Sequence, residues 1–185
     1  MPSITTANRN RAADAVTVRL NGGLLRVYTG TPPVDANTAL SGNTLLAELT
    51  FGATAFAAAT NGTAAANAIT ADSSADNTGR PTFARAFEAG GTTAVVDYRA
   101  AFSWIASTAY AIGDRVVNGG NQYRATAAGT AAASGGPTGI GATITDGGVT
   151  WAYEGVAEIT FSGGPSIVQL GTVTVSSLTY TQSAS

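Results

Sequence analysis

The chain of 185 residues has no cysteine and no histidine, and all nine of its basic residues are arginine, so lysine is absent as well. Without cysteine there is no disulfide framework and no thiolate metal site, and the redox compartment stays undetermined. Without histidine the usual general base near neutral pH is missing, and without lysine there is no amine for Schiff-base chemistry. Carboxylates, hydroxyls and guanidinium groups are all that remain for chemistry. Charge is sparse too: only 11% of residues are charged and the net charge is −2. That leaves no electrostatic footprint for a phosphate backbone, so nucleic acid is not expected as a partner. No stretch reaches the ~18 consecutive apolar residues that cross a bilayer. The opening MPSITTANRNRAADA has no apolar core of the secretory kind, so a soluble chain without a membrane partner is expected.

What is present is small and apolar. Hydrophobic residues make up 44% of the chain and alanine about a fifth, with threonine and glycine also abundant. The length suits one domain, or a small domain carrying an insert, with enough apolar content for a real core. Low charge means little long-range repulsion between copies, which permits close packing against neighbours.

One amphipathic helix is expected near the N-terminus, capped by Thr5 or Thr6, with Ala12, Val16 and Leu20 on its inner face and Asn21-Gly22-Gly23 ending it. Packing on a sheet is the simpler role for it; a docking arm for another subunit is the alternative. Strands follow. LLRVYTG (24–30) is stopped by Pro32-Pro33, and LLAELTF alternates, with Leu45, Ala47, Leu49 and Phe51 on one face. Residues 52–71 read as one or two strands of small residues. Residues 71–81 read as a loop in which Asp72 and Asp76 close turns, since their spacing lacks the alternation of a calcium loop. Phe83 to Arg99 reads as a hairpin turning at Gly90-Gly91, with Arg85 paired to Asp97 or Glu88 or reaching for the edge. EITFSGG, SIVQLG and TVTVSSLTYTQ complete the set, with a bulge expected at Ser176-Ser177. One helix with seven to nine short strands predicts an all-β fold, a jelly-roll-like or immunoglobulin-like β-sandwich.

The segment 101–155 reads as a small β module inserted into a discontinuous scaffold formed by 1–100 and 156–185. Excising it joins VVDYRA to GVAEITFSGG, which reads as two strands with a short turn. Trp104, Tyr110, Tyr123, Trp151 and Tyr153 place five of the chain's eight Trp and Tyr residues in this segment. Two roles are open for them: the core of a small module, since each ring can bury 150–250 Å², or a flat face that stacks on sugars. The order W…YAIGDRVVNGGNQY…W, with Trp104, Tyr110, Gly113, Asp114, Val116, Gly120, Tyr123 and Trp151, resembles chitin- and cellulose-binding modules. It also resembles copies of that motif in bacteriophage tail and structural proteins. The resemblance implies a host surface glycan as a partner, but Tyr123 is followed by Arg124-Ala125-Thr126-Ala127-Ala128, where those modules carry exposed aromatic residues.

Other chemistry finds little support. GPTGIGATITDGG is glycine-rich but has neither dinucleotide spacing nor a terminal Gly-Lys-Ser/Thr. Asp114, Asp146 and Glu154 could supply a glycosidase pair, yet Gly-Asp before a strand is simply a turn. No catalytic residue, metal or cofactor is expected.

Outside the insert, LRVYTGTPPVDANTALSGNTLLAELTF, ANAITADSSADNTGRPTFARAFEAGG and GTVTVSSLTYTQ resemble small structural proteins of tailed bacteriophages. The resemblance covers Leu24 to Arg99 and Gly155 to Gln182. It implies a non-enzymatic virion protein, a decoration or cement protein on the outer head surface, with a place in the tail or tail fibre as the alternative. The implied partners are the major capsid protein and further copies of this chain, as a homo-oligomer such as a trimer.

Overall fold

A computed structural model describes residues 4–183. One helix, α1 (Thr6–Thr17), continues into a 3₁₀ turn at Val18–Leu20 and is followed by fifteen strands. Those of the first half are β1 (Leu24–Thr29), β2 (Thr44–Phe51), β3 (Thr63–Ala65), β4 (Ile69–Thr70), β5 (Phe83–Phe87) and β6 (Ala94–Arg99). Between residues 101 and 156 lie β7 (Phe102–Ser103), β8 (Ala109–Tyr110), β9 (Arg115–Asn118), β10 (Asn121–Ala127), β11 (Gly129–Thr130), β12 (Ile144–Asp146) and β13 (Val149–Val156). Last come β14 (Ile159–Phe161) and β15 (Val175–Thr181). Outside segment 101–156 the described residues hold eight strands, within the expected seven to nine, and the segment adds seven more.

The strands form an all-β sandwich. One sheet has the order β4-β2-β1-β5-β6, and the other runs β12-β13-β10-β9-β7-β14-β15-β3, with β8 and β11 as a separate pair. Leu25, Val27, Leu49 and Ala84 from the first sheet meet Ala64, Phe102, Ile159, Phe161 and Leu178 from the second in one core. Alternation explains most of this: Leu25 and Leu49 are register partners, as are Val27 and Ala47, and all four are fully buried. Leu46 breaks the pattern. The β1–β2 register shifts after Val27, which skips Leu46 and lets it turn into the core. A second bulge falls where the Ser-Ser step suggests, since Thr160 pairs with Ser177 but Phe161 with Val175.

The helix packs on the sandwich, but on a different face from the one its apolar spacing indicates. Ala13, Thr17 and Leu20 are the buried residues, whereas Ala12 and Val16 are only half-buried. Hydrogen bonds fix this rotation. Asn10 accepts from the Gly62 amide at 2.7 Å, Asp14 from Ala59 at 2.8 Å, and Asn21, past the 3₁₀ turn, from Ala55 at 2.8 Å. Thr5 is the N-cap and accepts from Asn8. Three polar acceptors satisfying the amides of segment 55–62 outweigh a weak apolar stripe.

Two strand expectations change. SIVQLG forms no strand; Ile167 makes an isolated bridge to Gly79, and Val173 one to Asp72. The joined text VVDYRA–GVAEITF is not a hairpin: β6 and β14 lie in different sheets.

Every residue of β5 is buried, because its two faces are both covered. Ala84 and Ala86 face the core, while on the other face Arg85 and Phe87 lie beside loop 31–43 and Phe83 stacks on Tyr28 at 5.2 Å. Arg85 resolves to the Asp97 pairing, with Nε and Nη2 donating to the two carboxylate oxygens at 2.7 and 2.8 Å. Its remaining donors reach the carbonyls of Thr38 at 2.9 Å and Asp35 at 3.0 Å. One guanidinium thus ties the loop to the sheet, a use that exploits the fork of five donors. Replacing Arg85 with methionine leaves the Asp97 carboxylate and two carbonyls without their partner. The expected cost is about 3 kcal/mol of unfolding free energy in urea titration, with loop 31–43 becoming the first site of limited proteolysis.

Candidate functional site

The five aromatic residues singled out above come together. Tyr110, Tyr123 and Trp151 are 3%, 1% and 0% exposed and share a cluster with Val116, Ala125, Ala131 and Val149. Trp104 and Tyr153 are half-buried and pack against it. This cluster contains neither Phe51 nor Val173, which belong to the sandwich core. Tyr110 meets Trp151 edge-on at 5.0 Å between centroids, and Tyr123 meets Tyr153 at 5.9 Å, both T-shaped.

Strand parity places these rings. Val116 on β9, Tyr123 and Ala125 on β10, and Trp151 and Tyr153 on β13 share one face of three adjacent strands of the larger sheet. Long loops fold over that face. The Tyr123 hydroxyl donates to the Gly139 carbonyl at 3.1 Å, and Asn118 donates to the carbonyls of Gly135 and Pro137. Gly136 lies so close to Trp104 that a Cβ there would stand 2.9 Å from the ring. The Tyr110 hydroxyl is engaged by the backbone of Ile105 at 2.9 Å. Covered rings with engaged hydroxyls form a core; the faces of Tyr110, Tyr123 and Trp151 are not presented to solvent.

The centre of the cluster is polar. Asp146 is 5% exposed, and its Oδ2 accepts from the indole N–H of Trp104 at 2.8 Å and from that of Trp151 at 3.1 Å. Its Oδ1 accepts from the Ala132 amide at 3.1 Å. Local sequence hardly announces this role, because Trp104 lies 42 positions before Asp146. A carboxylate just before Gly-Gly, with Trp five positions on, was the one available signal.

The other two carboxylates considered for chemistry are also engaged. Asp114 closes its turn by accepting from the Ala111 amide at 2.7 Å and pairs with Arg80 of the scaffold. Glu154 sits on the opposite face of the module's sheet, between Arg115 at 2.7 Å and Arg124 at 2.8 Å, with Gln122 also donating. Arg115 reaches on to the Thr82 carbonyl at 3.4 Å and Arg99 to the Glu154 carbonyl at 3.2 Å. No pair of free carboxylates faces a cleft among the described residues. No group of three or more His, Cys, Asp or Glu residues that could hold a metal ion occurs among them either.

Phe102, inside segment 101–155, packs in the sandwich core, 5.7 Å from Phe161. Its strand β7 pairs in parallel with β14 on one side and β9 on the other. The module therefore extends the sheet rather than hanging from a flexible stalk. Comparison of the chain with family models, with curated proteins and with solved structures returned no match.

Both tryptophans of the chain lie in this cluster, so indole fluorescence reports on it alone. Asp146→Asn removes a charged acceptor and turns an NH2 toward a donor. The fluorescence-detected unfolding free energy should drop by about 2 kcal/mol. Glu154 supplies a pH test. Burial pushes its pKa up, but the Arg115 guanidinium and the bonds from Gln122 and Arg124 outweigh this and hold it below 4.5. Its stabilising contribution is therefore complete above that value and is lost as pH falls through the lower folded-state value. Thermal unfolding followed from pH 7 to pH 3 should show a steeper acid decline for the wild type than for Glu154→Gln.

Proposed function

We propose that this chain is a non-enzymatic structural protein of a tailed-bacteriophage virion, a decoration or cement protein that binds and stabilises the outer head surface. The observation that carries the reading is the loop 31–43. Val34 at its tip is 95% exposed, yet the loop is held from below by the Arg85 bonds to Asp35 and Thr38. Asp35 adds its own turn, accepting from the amides of Asn37 and Thr38. A large apolar residue on a fastened loop suits docking, because little chain entropy is lost when a partner covers it. The engaged carboxylates and the absence of histidine, cysteine and lysine support a binding role over catalysis. The resemblance of residues 24–99 and 155–182 to phage structural proteins supplies the context, with the major capsid protein and further copies of this chain as partners.

The alternative is a tail or tail-fibre component that holds host glycans through the inserted module. It needs an exposed aromatic platform, and the burial of Tyr110, Tyr123 and Trp151 weighs against one. Only Trp104 and Tyr153 keep partial access.

Val34→Asp tests the head reading. Its exposure predicts unchanged thermal stability, while binding to particles assembled without this protein should weaken about tenfold. Wild-type binding by the variant, or immunogold labelling confined to the tail, would remove the proposal.

A further inference from the structure

We propose that Asn61-Gly62 is a site of self-modification, at which the Gly62 nitrogen cyclises onto the Asn61 side chain once α1 leaves the sandwich and Asn10 no longer guards it. The reaction needs no partner and is independent of the head assignment. Asparagine followed by glycine is the step most open to this reaction, because glycine has no side chain to obstruct its nitrogen and is free in its backbone angles. The chain has three such steps, at Asn21, Asn61 and Asn118. Two are anchored by their side chains. Asn21 Oδ1 accepts from the Ala55 amide at 2.8 Å, and Asn118 donates to the carbonyls of Gly135 at 2.9 Å and Pro137 at 3.1 Å. Asn61 is exposed, and its carboxamide has no hydrogen bond among the described residues.

The fold holds this step back. Asn61 and Gly62 have φ of 53° and 82° at the tip of a two-residue hairpin turn, in which Thr60 donates to the Thr63 carbonyl at 2.8 Å and Thr63 to that of Thr60 at 2.9 Å. Gly62 is buried and its nitrogen is engaged, donating to Asn10 Oδ1 of α1 at 2.7 Å, while its carbonyl accepts from the Gln182 amide at 2.8 Å. To react, that nitrogen must give up its proton and swing toward Asn61 Cγ, and the bond to Asn10 opposes both. The guard is as firm as the helix. Ala13 and Thr17 are the buried residues of α1, and Asn10 and Asp14 tie it to segment 55–62. So small a buried face places its undocking among the local openings that precede global unfolding. In the open state the Gly62 nitrogen bonds to Asn61 Cγ, its proton passes to solvent, and the side-chain nitrogen leaves as ammonia. Water then opens the five-membered imide at one carbonyl or the other, leaving aspartate or isoaspartate. In isoaspartate the main chain runs through one additional carbon, which a two-residue turn cannot hold without breaking the Thr60–Thr63 pair. The change is irreversible, so it records that the helix has been away and hinders its return.

Ageing the full chain in warm, mildly alkaline buffer tests this, with peptide mass spectrometry to locate deamidation and an isoaspartate methyltransferase assay for the product. Modification should fall on Asn61 ahead of Asn21 and Asn118. Asn10→Ala removes the guard while alanine favours the helix. Loss of one hydrogen bond populates the open state about fivefold more, and deamidation at Asn61 should quicken by the same factor. Asn10→Asp keeps an acceptor for the Gly62 amide and should stay near the wild-type rate. Asn61→Gly retains the turn, since glycine adopts positive φ freely, and should abolish the product at this position. Asn118 is the internal control, because it lies in the aromatic module away from α1. An Asn61 that stays intact in both the wild type and Asn10→Ala, equal rates in the two, or a rise that Asn118 shares overturns the proposal.

Discussion

The aromatic module depends on one buried carboxylate. Asp146 has no cation beside it; its negative charge is met by two indole N–H groups and one amide. Trp104 enters the module and Trp151 closes it, so a shared acceptor fixes the two ends of the segment relative to one another. Hydrogen bonds to a charged acceptor in a dry site are stronger than neutral ones, and an unmet carboxylate there would be costly. The turn that follows is equally constrained. Gly147 has φ of 60° and approaches the backbone of Ala132 and Thr130 so closely that a Cβ would stand 2.6 Å from the Ala132 nitrogen. The carboxylate reaches its donors because glycine lets that backbone pass.

Around this centre the module is joined to the scaffold in two ways. Backbone pairing through β7 makes one sheet of both parts, and arginines bolt the remaining faces together. Arg80 crosses to Asp114, Arg115 returns to Thr82, and Arg99 meets the Glu154 carbonyl. In a chain where only 11% of residues are charged, this use of guanidinium groups is selective. Their several donors can satisfy a carboxylate and a carbonyl at once, which ammonium groups do less well. The module is therefore held at a set orientation, and whatever it presents moves with the sandwich. Arg85 does the same for loop 31–43, which it ties to the sheet through the carbonyls of Asp35 and Thr38.

Much of the architecture was legible along the chain. The alternation from Ala47 to Phe51, the Gly90-Gly91 turn, the break in parity at Ser176-Ser177 and the clustering of aromatic residues between Trp104 and Tyr153 all correspond to local features of the structure, whereas the bulge that buries Leu46 in place of Leu45 was not legible. The helix was legible as a helix, but its inner face was not. Asn10 and Asp14 look like solvent-facing residues until the amides of Gly62 and Ala59 are placed against them. The path from β6 to β14 was misleading for a similar reason: two strands near each other in an edited sequence need not share a sheet.

The sequence by itself determined the class of fold, the turns, the absence of the usual catalytic side chains and the membership of the aromatic cluster. These follow from composition and from spacings of two to four residues, which act through the local backbone. Only tertiary structure decided which polar side chains would become internal partners. Asp146 found two indoles, Glu154 two guanidinium groups and Arg85 a loop, and each of these choices joins residues far apart in the chain. Long-range polar pairing leaves no periodic trace, because its geometry exists only after the sheets have brought distant segments within hydrogen-bonding distance.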